Sequence, residues 1–269
     1  MALLRLFSAD ALRLEALFQT DPARYTIPYG MLKRRGLGWE GFDMFALTDT
    51  GGAFSGVLTL DADGRTSVYG GQPEHAVEVA EEAGRRQALR FIDAELPMAA
   101  ALAAIRPPVS TEDLVIMVRR RVEPTPPPAV PATVRPAVLS DAPALAAHYS
   151  SSDIFNGLTQ EMLMERLEAG VVFALAQLGD GTVASAALSN RFVPGVGRIS
   201  AVYTRPCYEG RRLATAVVGF LSEQHDSAGL TSVLYRSLEN PAAGRLYERL
   251  GFEEYVRVRK LRYTAGGGY

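Results

Sequence analysis

Nine residues near the middle of the chain, "EPTPPPAVP" (123–131), hold five prolines. Proline lacks the backbone donor that a sheet ladder or an interior helical turn requires, and a run of it favours extended polyproline. No helix or central strand passes through such a segment. The expected division is therefore a domain over residues 1–122, a proline-rich linker over 123–131 and a second domain over 132–269. The chain has 269 residues, enough for each part to bury its own core.

The composition is that of a globular protein, with 48% apolar and 22% charged residues. A net charge of −2 speaks against a general nucleic-acid binder, which displaces phosphate counterions with a basic stripe. Cys207 is the only cysteine, so neither an internal disulfide nor a cysteine metal cluster can form. His75, His148 and His225 are scattered and lack the spacing that puts two imidazoles on one helical face, so no metal is expected. The opening "MALLRLFSADALRLEALF" is interrupted by Arg5, Asp10, Arg13 and Glu15 and has no signal-peptide core. With no membrane-spanning run in view, the expected location is the cytoplasm.

After the proline run, "TVRPAVLSDAPALAAHY" reads as a strand and a helix, with Ser140 or Asp141 as cap. "TQEMLMERLEAG" is a second helix. "VVFALAQL" and "TVASAALSN" form a hairpin across "GDGT", and "GRISAVYT" is a further strand. "EGRRLATAVVGFLSEQH" places Leu213, Ala214, Val217, Val218 and Leu221 on one helical face. "TSVLYRSL" is a strand, "NPAAGRLYERLGF" a helix, and "FEEYVRVRKLRY" the closing strand. In that helix Asn240 suits the cap, Pro241 the first turn and Gly251 the C-terminal turn, with Ala242, Leu246, Tyr247 and Leu250 as the apolar positions.

The first part repeats this order loosely. "ALLRLF" and "SADALRLEALF" are strand and helix; "FDMFALTD", "FSGVLTLD" and "RTSVYGG" are strands; "PEHAVEVAEEAG" is a helix. "ALRFIDA", "LPMAAALAAI" and "EDLVIMVRRRV" complete it as strand, helix and strand. Hairpins and crossovers together imply an α/β protein with mixed, mostly antiparallel sheets flanked by helices.

"GLGWEG" (Gly36–Gly41) matches GxGxxG, but the basic "MLKRR" precedes it and a strand follows, so the strand–turn–helix context of a dinucleotide site is missing. No GxSxG elbow and no P-loop pattern is present. A different stretch has the context of an anion site. In "AVYTRPCYEGRRLATAVV" (201–218) a strand stops at Pro206 and a helix begins near Gly210 or Arg211, which leaves free amides pointing outward.

Taken together, "VYTRPCYEGRRLA" and "NPAAGRLYERLGF" resemble the GNAT superfamily of acyl-CoA-dependent N-acyltransferases, in the branch whose fourth strand reads VYTxPxYRGxGxA. Val202, Tyr203, Thr204, Pro206, Tyr208, Gly210 and Ala214 stand as in that pattern. The resemblance covers residues 132–263. It implies acetyl-CoA as co-substrate, with the backbone of Val202, Tyr203 and Thr204 along the pantetheine arm and thioester carbonyl. It implies amides of Glu209, Gly210, Arg211, Arg212, Leu213, Ala214 and Thr215 around the pyrophosphate, Asn240 near the pantetheine, and Tyr247 as the acid that protonates the departing thiolate. Two positions depart from the pattern: Glu209 replaces Arg or Gln, and Arg212 replaces Gly. The carboxylate repels a pyrophosphate by about 1–4 kcal/mol at 4 Å, which Arg212 offsets with its own charge or worsens by obstruction.

Glu239, His148, Asp153 and Glu161 are the candidates for a general base, with none assigned. Cys207 is read as a spacer. The first part resembles a degenerate copy of the same fold without catalysis, in which Trp39, Tyr25 and Tyr29 are candidates for the rim of an acceptor pocket. The implied reaction is acetyl transfer to an amine of a small molecule or a peptide. The alternatives are a non-catalytic protein that binds CoA or a metabolite, and a scaffold of two vestigial halves.

Overall fold

A computed structural model of the chain describes residues 2–85 and 89–264; Ala88, the first residue of the strand predicted at "ALRFIDA", lies outside them. Up to the proline run the elements are β1 (Ala2–Arg5), α1 (Ala11–Thr20), α2 (Thr26–Arg35), β2 (Phe42–Thr48), β3 (Phe54–Asp61), β4 (Arg65–Gly70), α3 (Ala76–Gly84), β5 (Phe91–Glu95), α4 (Leu96–Ile105) and β6 (Ser110–Arg119). After it come β7 (Thr133–Pro136), α5 (Ala142–Tyr149), α6 (Gln160–Glu168), β8 (Val172–Gln177), β9 (Val183–Asn190), β10 (Val196–Thr204), α7 (Leu213–Ser227), β11 (Thr231–Ser237), α8 (Pro241–Arg249) and β12 (Phe252–Arg262).

The described residues fall into two compact units that are interleaved along the chain. Unit 1 comprises the described residues within 2–116, Arg236–Asn240 and 254–264; unit 2 comprises Met117–Tyr235 and Pro241–Glu253. This differs from a cut at the proline run, and backbone pairing supplies the reason. Most of β12 belongs to unit 1, where it runs antiparallel to β5 with Val258 opposite Glu95 and Arg262 opposite Phe91. Its Arg259 and Arg262 also form ion pairs with Asp113 and Glu112.

Both units have mixed sheets flanked by helices. In unit 1 the strand order is β1-β2-β3-β4-β5-β12, with β4 and β5 parallel and the other pairs antiparallel. In unit 2 the order is β11-β10-β9-β8-β7, with β10 and β11 parallel and the rest antiparallel. Phe45, Leu58, Val79, Ile92 and Leu102 are among the core residues of unit 1; Leu145, Tyr149, Leu163, Phe173 and Leu188 are among those of unit 2.

Helix α2 was not expected, because "TIPYGMLKRR" contains Pro28 and Gly30. Pro28 falls in the first turn, where a missing N–H costs no helical bond, and Lys33, Arg34 and Arg35 suit the negative C-terminal end. The helix is anchored by Tyr29, whose ring lies 5.1 Å from that of Phe18, with Tyr25 at 5.4 Å. Both tyrosines are buried, so they are core residues and not a pocket rim. Trp39 is 52% exposed, with the Arg35 guanidinium 4.4 Å from its ring centre. At α5, Asp141 bonds backward to the Val138 amide (2.8 Å) and pairs with Arg135, so it fixes the turn before the helix.

Two buried devices hold α7 in unit 2. The His225 ring lies between Ser189 of β9 (Nε2 to Oγ, 2.6 Å) and Ser232 of β11 (Nδ1 to Oγ, 2.8 Å). It crosses β10 at Gly197, where any Cβ would collide with the ring. A serine so close to a histidine looks like a nucleophile and its base, but all three side chains are buried and serve as a cross-link. The second device is the proline run, which is docked and not free. Thr125 bonds Glu223 of α7, the Ala129 amide donates to the Arg211 carbonyl (2.9 Å), and the buried Arg119 reaches Leu250 O, Glu123 O and Asp226.

Gly219, in the interior of α7, makes the close approach possible, since a Cβ there would overlap the Thr125 side chain. Helix propensity alone makes Gly219→Ala stabilising by about 1 kcal/mol. The clash reverses the sign, and we expect a net loss of about 1–3 kcal/mol in urea unfolding. Thr125→Gly in the same chain should recover most of that loss.

Candidate functional site

The strand β10 stops behaving as a regular strand halfway along. Its parallel pairing with β11 runs from Val196 opposite Thr231 to Ile199 opposite Leu234. On its other edge the register with β9 skips between Ser200 and Tyr203. At the skip Ala201 has φ 49°, a left-handed conformation that costs a residue with a side chain about 1–2 kcal/mol.

The end of α5 holds this bulge. Tyr149 Oη donates to the Ala201 carbonyl (2.9 Å), and His148 Nε2 lies 3.2 Å from the Tyr203 carbonyl. In return Arg205 donates to Ala147 O (3.2 Å) and Tyr203 Oη to Ser151 O (2.6 Å). Beyond the bulge, the Tyr203 carbonyl accepts from Ser185 Oγ (3.1 Å) and the Arg205 amide donates to Ala184 O (3.0 Å), both on β9. Peptide groups alternate along an extended strand, so those of Val202 and Thr204 face the opposite edge, where the pairing with β11 has ended.

After β10 comes a short 3-10 turn at Pro206–Tyr208, then Gly210 at φ 73° and Arg212 at φ 58°, ψ 19°. Helix α7 begins at Leu213, later than the predicted start near Gly210 or Arg211, because a left-handed Arg212 cannot be part of a right-handed turn. The first helical bond runs from the Ala216 amide to Arg212 O (3.0 Å), so the Leu213, Ala214 and Thr215 amides have no acceptor within the helix. Glu209, Arg211, Arg212 and Cys207 are exposed, and the Arg211 guanidinium lies 5.4 Å from the Tyr208 ring centre. Arg212 occupies the position where the resembling pattern has glycine, and it keeps the backbone conformation that glycine adopts readily.

Tyr247 lies on α8, which follows β11. It is 6% exposed and meets the Phe252 ring edge-on at 6.0 Å. The buried face of α8 is Gly244 and Tyr247, continued by Leu250 in the turn that follows, while Ala242, expected there, is exposed. Gly251 ends the helix at φ 83° as its position suggested. Val202, Tyr203, Thr204 and residues 209–215 therefore form one continuous strand–turn–helix of unit 2, to which Tyr247 also belongs; Asn240, next to Pro241, is counted with unit 1.

His148 is unsuited to act as a base. It is 0% exposed, and both ring nitrogens face carbonyls, Val183 O at 3.0 Å and Tyr203 O at 3.2 Å. Asp153, Glu161 and Glu239 are exposed. Tyr149 and Ala201 escaped the sequence reading, because neither residue type announces a left-handed strand position. Among the described residues no group of three His, Cys, Asp or Glu could hold a metal ion, and no helix is long and apolar enough to cross a membrane.

Unit 1 handles the corresponding stretch differently. The β4–β5 pairing ends at Val68 opposite Ala94, and Gly70 and Gly71 follow at φ 70° and 73°. Here the Gly70 amide donates to the Glu95 carboxylate (3.3 Å), which also holds Arg24 in a two-pronged ion pair.

The family model described as FR47-like protein matches residues 179–261, from β9 into β12. Among solved structures, the chain is similar to a GCN5-related N-acetyltransferase from Sphaerobacter thermophilus, with TM-score 0.69 and 16% identity over 100% of this chain and 97% of that one. It is also similar to an acetyltransferase from the GNAT family from Colwellia psychrerythraea (TM-score 0.61, 13% identity, 98% and 100% covered). A tandem GNAT protein from the clavulanic acid biosynthesis pathway is a further likeness (TM-score 0.60, 13% identity, 99% of each chain). No curated protein matches the sequence at a significant level. The chain has the fold of the GNAT acetyltransferases.

Two predictions follow from the geometry of unit 2 and the titration of its buried groups. Replacing Arg212 by glycine removes the left-handed penalty and adds some chain entropy, for a net gain of about 0.5–1 kcal/mol in unfolding free energy. The second concerns pH. His148 and His225 are held down to about 4, in both cases chiefly by burial. Between about pH 6.5 and 4 the unfolded chain binds protons that the folded chain refuses, so stability is complete above that window and falls through it, by up to about 1.4 kcal/mol per pH unit for each histidine.

Asp93 works the other way. Burial raises it to about 6, against the Lys260 charge that lowers it, so as pH falls from there towards 3.8 the folded chain gains a proton before the unfolded one. Thermal unfolding between pH 7 and 4.5 should therefore show a declining midpoint, a shallower decline in His225→Asn and a steeper one in Asp93→Asn.

Proposed function

We propose that the chain is an N-acetyltransferase that uses acetyl-CoA and has one site, in unit 2. The observation that carries the reading is the pair of outward-facing peptide groups at Val202 and Thr204, beside an edge where β10 has left β11. That edge suits the amide-bearing pantetheine arm, which can pair with it as a short strand would. The free amides of Leu213–Thr215, the left-handed turns at Gly210 and Arg212, and two exposed arginines suit a pyrophosphate. Glu209 is the one member with the wrong charge, and its exposure keeps the cost small.

Acetyl-CoA supplies an acyl group activated as a thioester. The Val202 amide would stabilise charge that develops on the carbonyl oxygen. Tyr247 Oη holds the proton that the leaving sulfur needs. A polarised carbonyl favours attack by an amine of a small molecule or a peptide, and the proton lost by the amine passes to water, since the buried His148 beside β10 has both ring nitrogens against carbonyls. Unit 1, whose Gly70 amide is already taken, is read as a non-catalytic relative of unit 2 in a tandem arrangement. The absence of a carboxylate on β10 and the presence of Glu209 favour a second reading, a CoA-binding protein without turnover.

Calorimetry and a thiol-release assay separate the two. The wild type should bind acetyl-CoA in the micromolar range, and Glu209→Gln should bind it about two- to fivefold more tightly, consistent with roughly 1 kcal/mol of removed repulsion. Against a panel of polyamines, amino acids and peptide N-termini, Tyr247→Phe should lower kcat about a hundredfold with affinity nearly unchanged. Binding without turnover on any amine would support the second reading. No binding in either protein would sink both.

A further inference from the structure

The last turn of α5 and the residues after it are stitched to β10 in alternating order. Ala147 meets Arg205, His148 meets Tyr203, Tyr149 meets Ala201, and Ser151 meets the Tyr203 hydroxyl. We propose that Tyr149, with His148 beside it, is a positioning residue that aims the Val202 amide, the donor already assigned to the thioester carbonyl. The inference rests on the function proposed above and deepens it.

The argument is one of peptide geometry. In a trans peptide the C=O and N–H groups point in opposite directions. Tyr149 Oη binds the Ala201 carbonyl, so the amide of the same peptide group, on Val202, is turned away from α5. Tyr203 O, two residues on, is bound by Ser185 Oγ and approached by His148, and the Thr204 amide is turned away in the same manner. Tyr149 and His148 are both 0% exposed, and their rings pack at 5.1 Å. A buried phenol has one proton to give, and the Ala201 carbonyl is the acceptor it has found. Without that bond, a left-handed alanine has no reason to persist, and the strand relaxes toward regular pairing with β9.

The decisive variant is Tyr149→Phe, which removes one hydroxyl from a buried ring. On the full-length protein, acetyl-CoA affinity should fall at least tenfold, and the amide resonance of Val202, which acetyl-CoA shifts in the wild type, should no longer respond. Adding Ala201→Gly to that variant should restore affinity to within about threefold of the wild type, because glycine takes the left-handed conformation without help. A hydroxyl that served stability alone predicts the reverse, since a second weakening residue in a strand would deepen the loss.

Unchanged acetyl-CoA affinity in Tyr149→Phe overturns the inference while leaving the proposed function standing. If the wild type binds no acetyl-CoA, the proposed function fails, and with it the role given to the Val202 amide. The crystal structure of Tyr149→Phe then still decides the positioning role: Ala201 at an extended φ supports it, and Ala201 still near 49° refutes it.

Discussion

A left-handed alanine inside a strand has to be held in place, and in this protein a single buried phenol does so. The bond from Tyr149 Oη to the Ala201 carbonyl offsets a backbone preference of about 1–2 kcal/mol, and hydrogen bonds of this kind contribute about that much when the alternative is an unpaired buried group. The bulge shifts the register on the β9 edge, while the parallel ladder to β11 stops at Ile199. The peptide groups of Val202 and Thr204 then face the side on which that ladder has stopped. A strand that parts from its neighbour in this way suits a strand or a strand-like ligand, and α5 holds it in that shape.

The supports differ in chemistry but share burial. His225 bridges two serines across Gly197 without any exposed atom, and Arg119 gathers the ends of α7 and α8 with the start of the proline run. The same run reaches the turn before α7 through Ala129 and Arg211. By holding the Arg211 carbonyl, it constrains the peptide whose amide belongs to Arg212, where the backbone is again left-handed. Both strained residues of unit 2 are thus tied through a carbonyl at or next to the strain, Ala201 by a phenol and Arg212 by a backbone amide.

Much of this was legible in the sequence, because alternation and helical periodicity report directly on which side of an element is buried. The succession of strands and helices, the mixed sheet and the turn at Gly251 were read that way. What escaped depends on contacts between residues far apart in sequence. Pro28 and Gly30 look like helix breakers until Tyr29 is seen packed on Phe18. The proline run looks like a linker until Thr125 is seen against Gly219. β12 looks like the property of its own half until its partner is found to be β5. His148 looked available as a base because sequence does not report burial. The delayed start of α7 had no signal, since arginine rarely adopts the conformation that Arg212 holds. The motif around Val202 to Ala214 drew attention to this stretch of chain without signalling that its backbone is left-handed at Ala201 and Arg212.

The contrast between the units shows what makes an edge usable. Both run through strand, two helices, three strands, helix, strand and helix, and in each the parallel pairing of the last two strands ends early. In unit 1 the residues past that end are Gly70 and Gly71, and an internal carboxylate, Glu95, satisfies the Gly70 amide. Glu95 is fixed by Arg24, whose guanidinium is pushed further towards its charged form by that hydrogen bond. A buried donor that already has a charged partner gains little from a new neutral acceptor. In unit 2 the corresponding peptide groups are aimed outward by bonds made on their other side, through α5 and β9. The same topology therefore ties one edge through an amide and the other through carbonyls, and the difference lies in which atom of the peptide group the protein holds.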